Sequence, residues 1–218
     1  FLQDLQVSED GNTIVIADAS FWRKSPAIIV YDVETGQARR LLESHVSVSA
    51  ENYVIRSRDR EMKFLGGIAA LRGGVDGIAL GPEWLYFAAI SGSGLYRVLL
   101  SDLLDQNLPP DQLANRVERI SDKPLSDGLS IDVEGNVYVT DVEHGSIFVV
   151  GPGKELKTLI QSRDLRWPDA LSFGPDGYLY IADSALLELI LKSREHIDTH
   201  GPYRIFRFKP GVDGVPGQ

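Results

Sequence analysis

The sequence repeats itself four times, and the repeat limits the folds that the chain can adopt. In each copy an aspartate opens a strand of alternating apolar residues, a turn rich in Gly, Asn, Asp or Pro follows, and a second, very apolar strand comes next. Alternation with period two around such a turn predicts a β-hairpin. The copies are FLQDLQVSEDGNTIVIADAS from Phe1, GGVDGIALGPEWLYFAAIS from Gly73, LSDGLSIDVEGNVYVTDVEHG from Leu125 and RWPDALSFGPDGYLYIADS from Arg166.

A third strand follows each hairpin, and a more polar fourth strand follows in the first three copies. A four-stranded propeller blade takes about 40–50 residues, and the later copies recur at about that period. The sequence therefore predicts an all-β propeller of four-stranded antiparallel blades, which start near residues 1, 73, 125 and 166 of a single domain, 1–218. Three insertions lengthen the repeat. Residues 48–73 form an excursion between blades, and residues 101–118 and 184–201 have the leucine spacing of short helices.

Two features suggest that the four blades do not close a ring by themselves. The last copy stops after three strands, and Phe1 already lies within a strand pattern. An open ring would leave long unpaired sheet edges, which soluble proteins avoid. We therefore expect this chain to be the C-terminal part of a larger ring, with the missing N-terminal blades of the same protein as its partner.

The charge balance excludes several classes of partner. The chain carries 31 acidic and 22 basic residues, a formal net charge of −9, and no cysteine. Nucleic acids and anionic membrane surfaces require basic patches, so we expect neither as a partner. The absence of cysteine excludes disulfides and thiolate chemistry. No apolar run approaches the roughly 18 residues of a membrane-spanning helix, and no stretch has the pattern of a signal peptide.

Several stretches resemble the yellow/major royal jelly protein family in its bacterial branch. They are FLQDLQV, GVDGIALGPEWLYFAAISGSGLYRV, KPLSDGLSIDVEGNVYVTDVEHGSI, RWPDALSFGPDGYLYIADS and PYRIFRFKP, and together they cover nearly the whole chain. The resemblance implies a six-bladed propeller, of which this chain would hold roughly the last four blades, and a secreted or periplasmic location. The wider clan includes the gluconolactonase/senescence-marker group of metal-dependent lactonases, whose strand openings are similar to LSDGLS and GVDGIA.

The repeated aspartates are the candidate site residues. The first strand of each blade lines the central channel of a propeller, so these side chains should meet at one mouth of the channel. Converging carboxylates raise one another's pKa unless something neutralises them. A divalent cation such as calcium, a cationic organic ligand, or backbone amides of the neighbouring blade could each do so. The aspartates are Asp4, Asp76, Asp127 and Asp169.

Three functions remain open at this point. The family resemblance implies a small-ligand site, since some insect members bind biogenic amines; Asp76, Asp127 and Asp169 would supply charge and Trp167 an apolar wall. A metal-dependent lactonase is the alternative, with Asp127 matching the clan's metal-ligand aspartate and Asp76 as a second ligand, although that clan tends to carry asparagine at the latter position. The third possibility is a structural or interaction propeller without a ligand.

A histidine pair gives a weaker signal. His196 and His200 are four residues apart, as two metal ligands on one helical turn would be. Zinc hydrolases of that pattern carry a glutamate directly after the first histidine, and Ile197 stands there instead. We interpret this segment as the end of a surface helix.

Overall fold

A computed structural model describes residues 1–218 as a four-bladed β-propeller segment. Blade 1 comprises β1 (Leu2–Val7), β2 (Thr13–Asp18), β3 (Ala27–Asp32) and β4 (Gln37–Leu41). Two small hairpins follow, β5 (Arg56–Ser57) with β6 (Arg60–Glu61), and β7 (Lys63–Phe64) with β8 (Ala69–Ala70). Blade 2 comprises β9 (Val75–Leu80), β10 (Trp84–Ala89), β11 (Gly94–Leu99) and β12 (Glu118–Asp122).

Blade 3 comprises β13 (Leu129–Ile131), β14 (Val137–Asp141), β15 (Ser146–Val150) and β16 (Leu156–Gln161). Blade 4 has three strands, β17 (Pro168–Phe173), β18 (Leu179–Asp183) and β19 (Arg204–Phe208). The helices are short: α1 (Leu100–Leu104), α2 (Pro110–Ala114), α3 (Arg194–Thr199) and two 3-10 turns, Leu65–Gly67 and Leu186–Glu188. None of them has the length and apolar composition needed to cross a bilayer.

The sheets are arranged about a common axis. In every blade the strands follow one another in sequence order and pair antiparallel, so the first strand lies at one edge of the sheet. These first strands contact one another in succession, β1 with β9, β9 with β13, and β13 with β17. The predicted all-β propeller of antiparallel blades with short helical insertions is therefore confirmed.

The hydrophobic core lies between the faces of adjacent blades. One cluster joins blades 1 and 2 and includes Ile28, Ile78 and Phe87. A second joins blades 2 and 3, and a third joins blades 3 and 4. The alternation along each strand explains this arrangement, because both faces of an inner blade pack against a neighbouring sheet.

Glycine permits the close approach of the inner strands. A Cβ on Gly77 would lie 2.4 Å from the backbone oxygen of Asp127, and a Cβ on Gly128 would lie 2.3 Å from that of Asp169. Both glycines directly follow a repeated aspartate. The Asp-Gly pair therefore places a carboxylate at the start of an inner strand and removes the side chain that would hold the next inner strand away.

The C-terminal tail closes the end of the channel opposite the aspartates. Gly214 pairs with Asp132 just beyond β13. The Gln218 side chain accepts a hydrogen bond from the Leu80 amide at 2.8 Å and donates one to Gln6 Oε1 at 2.6 Å, while its carbonyl accepts from the Phe173 amide. These partners lie at the far ends of β9, β1 and β17, so the side chain of one buried residue joins two inner strands and its main chain joins the third.

We predict that Gly128→Ala destabilises the protein by about 1–3 kcal/mol, because the new methyl group would overlap backbone atoms that cannot rotate away. Gly153 provides a matched control, since a Cβ there meets no atom within 4 Å. Gly153→Ala should change the free energy of unfolding by less than about 0.5 kcal/mol. Urea denaturation of both variants measures the difference, and equal stabilities would contradict the proposed close approach.

Candidate functional site

The four repeated aspartates lie together at the end of the channel where the inner strands begin. Asp4 is partly buried, and its carboxylate accepts hydrogen bonds from the amides of Leu5 at 2.8 Å and Ile78 at 3.0 Å. Burial raises the pKa of Asp4 to about 6, and the negative charge of Asp169 adds to the increase against the opposing effect of the two amides. The bond to Ile78 crosses to the neighbouring blade, so Asp4 also has a structural role.

Asp76 is the most deeply buried of the four, with 4% of its surface exposed. Burial raises its pKa well above the ordinary value, and the charges of Asp127, Asp169 and Asp4 raise it further. Its Oδ2 atom is buried and has no hydrogen-bond partner. Buried polar atoms are nearly always paired, so this oxygen is free to accept a hydrogen bond or to bind a cation.

Asp127 is held by a tryptophan rather than by the backbone. The Trp167 Nε1–H donates to Asp127 Oδ2 at 2.7 Å. Burial raises the pKa of Asp127 to about 8 and the charge of Asp169 contributes to the increase, while the indole hydrogen bond opposes it. Trp167 itself is fully buried, and its indole orients the Asp127 carboxylate. Its role as an apolar wall for a ligand stays a prediction.

Asp169 completes the set at the start of β17. It is partly buried. Burial raises its pKa, and the charge of the neighbouring Asp183 contributes to the increase. The structure thus brings together all four aspartates singled out in the sequence. As whole residues, Asp4, Asp127 and Asp169 are less buried than Asp76.

A buried lysine also belongs to the site, and sequence reasoning missed it. Lys123 is 5% exposed and donates a hydrogen bond from Nζ to the Pro124 carbonyl at 3.0 Å. Burial lowers its pKa to about 7 against the opposing charges of Glu51, Asp76, Asp127 and Asp141. The one sequence signal for Lys123 is its position four residues before Asp127. This signal is weak, because Arg72 lies four residues before Asp76 and is exposed.

Residues 48–73 pack beside this end of the channel. Ile55 and Met62 from this insertion pack in one buried cluster with Leu125, Val142 and Trp167, which border the inner ends of blades 3 and 4. Glu51, from the same insertion, accepts hydrogen bonds from the Ser93 amide at 2.8 Å and hydroxyl at 3.0 Å. The predicted excursion between blades therefore contributes walls and charge next to the aspartates.

In a second recurring set of aspartates, hydrogen-bond donors pair with the carboxylates. Asp18, Asp141 and Asp183 end the second strands of blades 1, 3 and 4, and all are buried. Hydrogen-bond donors satisfy them: the Arg40 guanidinium and the Ser20 amide at Asp18, and backbone amides at the other two. Asp183 Oδ1 accepts from the amides of Arg166 and Trp167 at 2.8 and 2.6 Å, and Asp141 Oδ1 from two amides of the turn that follows it. These carboxylates hold turns in place.

The donor set at the channel end suits a cation. Carboxylate oxygens are the ligands that calcium prefers, and they also pair with organic ammonium groups. The unpartnered Oδ2 of Asp76 offers a free lone pair to either. Lys123 supplies an internal positive charge beside Asp76 and Asp127, which reduces the net attraction for a doubly charged ion more than for a single charge.

Comparisons with known proteins agree with the fold. The family described as major royal jelly protein matches residues 1–186. Among curated proteins, none matches the sequence. A putative gluconolactonase has a TM-score of 0.61 at 13% identity, over 98% of this chain and 60% of its own.

A gluconolactonase from Xanthomonas campestris gives a TM-score of 0.56 at 15% identity, over 84% of this chain and 54% of its own. The nidogen/laminin complex gives 0.58 at 16% identity, over 84% of this chain and 57% of the other. At these identities the likeness concerns the fold alone. The chain spans between half and three fifths of the length of these structures.

We predict that the double variant Asp127→Asn/Asp169→Asn flattens the decline of stability with rising pH. Folded carboxyls whose pKa is raised, to about 8 at Asp127, keep protons that unfolded ones lose near pH 4. Folding is therefore favoured at low pH and weakened as the pH rises through the folded-state values.

Urea denaturation between about pH 5 and pH 8 measures this slope. The control is Asp10→Asn, because Asp10 is exposed and its pKa is lowered by the Ser8 hydroxyl and by Asn12. That substitution acts only at more acidic pH and should leave the slope unchanged. A double variant with the slope of the original protein would contradict the raised pKa values.

Proposed function

We propose that this chain, which belongs to the major royal jelly protein family, binds a small cationic ligand at the acidic end of its channel. Asp76, Asp127 and Asp169 are the proposed contacts. The observation that supports this most directly is the buried, unpartnered Oδ2 of Asp76. A purely structural propeller would have each of these carboxylates satisfied by backbone amides, as Asp183 is.

The electrostatics favour an ammonium group over an anion or a neutral molecule. Asp127 holds a proton near neutral pH, because burial and the charge of Asp169 raise its pKa to about 8, and the same causes raise the pKa of Asp4 to about 6. An arriving cation offsets both causes of that increase, because it stabilises the ionised carboxylates, so binding should release protons. Lys123, with a pKa lowered to about 7, can also lose its proton and reduce the repulsion.

The shape of the channel supports entry from one side. The C-terminal tail and Gln218 bridge the opposite ends of β1, β9 and β17. Asp4, Asp127 and Asp169 are only partly buried. A ligand would therefore approach from the aspartate end and stop within the channel.

Two further expectations remain proposals that family membership supports. One is a ring of six blades, and the other is a secreted or periplasmic location. Neither is needed for the electrostatic argument, which depends only on residues described above.

We predict that a primary amine such as phenethylamine binds, and that its neutral isostere 2-phenylethanol does not. The affinity should rise between about pH 5 and pH 8 as the carboxyls ionise. Asp169→Asn should weaken amine binding by roughly tenfold or more, because a charged hydrogen bond is worth about 1.5–3 kcal/mol. Isothermal titration calorimetry measures all three effects.

Asp176→Asn is the matched control for this titration. Asp176 is an exposed carboxylate in the hairpin turn of blade 4, where it bonds Tyr180 and Arg207 away from the channel. It should leave amine affinity unchanged. No binding of either compound, or equal binding of both, would contradict the cationic-ligand proposal.

A metal-dependent lactonase is the second candidate, and the unpartnered Oδ2 of Asp76 beside Asp127 favours it, because a divalent ion could bind between these carboxylates. Asp76 and Asp127 would hold the divalent ion, for which calcium is our expectation, and its chemistry there would be polarisation of the lactone carbonyl. The neighbouring Lys123 disfavours the lactonase function, because its ammonium group would compete with the ion for the same carboxylates.

If the lactonase reading is right, hydrolysis of a small lactone is lost on chelation and in Asp127→Asn, and is retained in Asp176→Asn. A pH-stat assay with and without EDTA measures the rate. Hydrolysis that survives both EDTA and Asp127→Asn, or no hydrolysis in the presence of calcium, would remove this candidate and leave the binding proposal standing.

A further inference from the structure

A second cluster of ligand-type side chains lies in the insertion between β18 and β19, away from the aspartates. Glu188 ends a 3-10 turn, His196 lies on α3, and His200 follows the end of that helix. One ligand atom from each of the three side chains lies within 4.8 Å of the others. The two imidazole rings stack with their centroids 3.9 Å apart, so both edges face the same carboxylate.

The hydrogen bonds orient His200 as a metal ligand. Its Nδ1 lies 2.7 Å from the His196 carbonyl oxygen. A carbonyl can only accept, so Nδ1 carries the proton and Nε2 keeps a free lone pair. The Nε2 atom of His200 lies 3.8 Å from Glu188 Oε2. Metal-bound histidines in proteins usually have their other nitrogen tied to a carbonyl or carboxylate in this way.

His196 and Glu188 share a position that a metal ion could take. His196 Nε2 lies 2.6 Å from Glu188 Oε2, a hydrogen bond that requires one proton between two bases. With His200 Nε2 beside them, three bases face a single proton. A zinc ion with ligand bonds of about 2.0–2.1 Å would replace that proton and satisfy all three, with ligand atoms roughly 3.3 Å apart. His196 Nε2 would then move away from Glu188 Oε2 and His200 Nε2 would move towards it.

Arg60 holds the other oxygen of the carboxylate. Its guanidinium pairs with Glu188 Oε1, which leaves Oε2 for the histidines. Glu188 is largely buried, with its side chain 15% exposed, whereas the side chain of His200 is 43% exposed. The carboxylate is therefore fixed in place, and one side of the cluster remains open to solvent.

We propose that Glu188, His196 and His200 form a binding site for a zinc ion, with the fourth coordination position open. Two imidazoles and one carboxylate suit zinc, and calcium binds oxygen ligands instead. The site shares no residue with the acidic channel end and lies beyond residues 1–186, which the family matches. Ile197 rather than a glutamate directly follows His196, and the fold brings Glu188, from eight residues earlier in the chain, to the two histidines.

The test is calorimetric titration of zinc chloride into the full chain after dialysis against EDTA. We expect saturable one-to-one binding. His196→Ala, His200→Ala and Glu188→Gln should each weaken it by at least about tenfold, the loss typical even of residues that only support a ligand. Cobalt in place of zinc should give the visible absorption of a tetrahedral ion, and His200→Ala should abolish it.

Two control variants locate the ion. His144→Ala removes an exposed histidine that pairs with Asp141, and Asp169→Asn alters the acidic channel end; both should bind zinc as the original protein does. Circular dichroism before zinc addition confirms that each variant is folded. The absence of one-to-one binding, its survival in both histidine variants, or its loss in Asp169→Asn would overturn the proposal.

Discussion

The close approach of the inner strands is the constraint on which the rest of this structure depends. Gly77 and Gly128 leave space for the backbone of the next inner strand, so neighbouring blades meet at the axis with no side chain between them. The aspartate before each glycine is thereby carried to the same end of the channel as its counterparts. Burial and mutual repulsion then raise their pKa values, and a cluster of carboxyls that cannot all ionise is the direct result.

A second set of buried aspartates in the same chain can be compared with this cluster. Asp183, like Asp18 and Asp141, is a buried carboxylate that recurs in three of the four blades, but amides and a cationic group satisfy it. Asp76 is equally buried and has an oxygen with no partner. Residue type and burial are the same at the two positions, so the difference lies in the local backbone. Where a turn supplies amides the aspartate is structural, and where the channel supplies none the aspartate can accept a ligand.

Much of the architecture could be predicted from the sequence, because hairpin alternation and turn residues are local signals. The gathering of Asp76, Asp127 and Asp169 also followed, since propeller symmetry relates their positions. What escaped prediction depends on contacts between distant segments. Lys123 gives no local sign that it is buried, Trp167 is turned inward by an insertion about a hundred residues earlier in the chain, and the carboxylate beside the two histidines comes from a separate turn.

The most direct test of this account is the titration of the aspartate side chains themselves by carbon-13 NMR. The account predicts that the carboxyl resonance of Asp127 titrates near pH 8 and that of Asp4 near pH 6. It also predicts that Asp169→Asn lowers the pKa of Asp127, because the charge of Asp169 is one of the causes that raise it. If every repeated aspartate titrates near pH 4, as free side chains do, the carboxyls do not share a buried site, and the proposed cation site at the channel end is wrong.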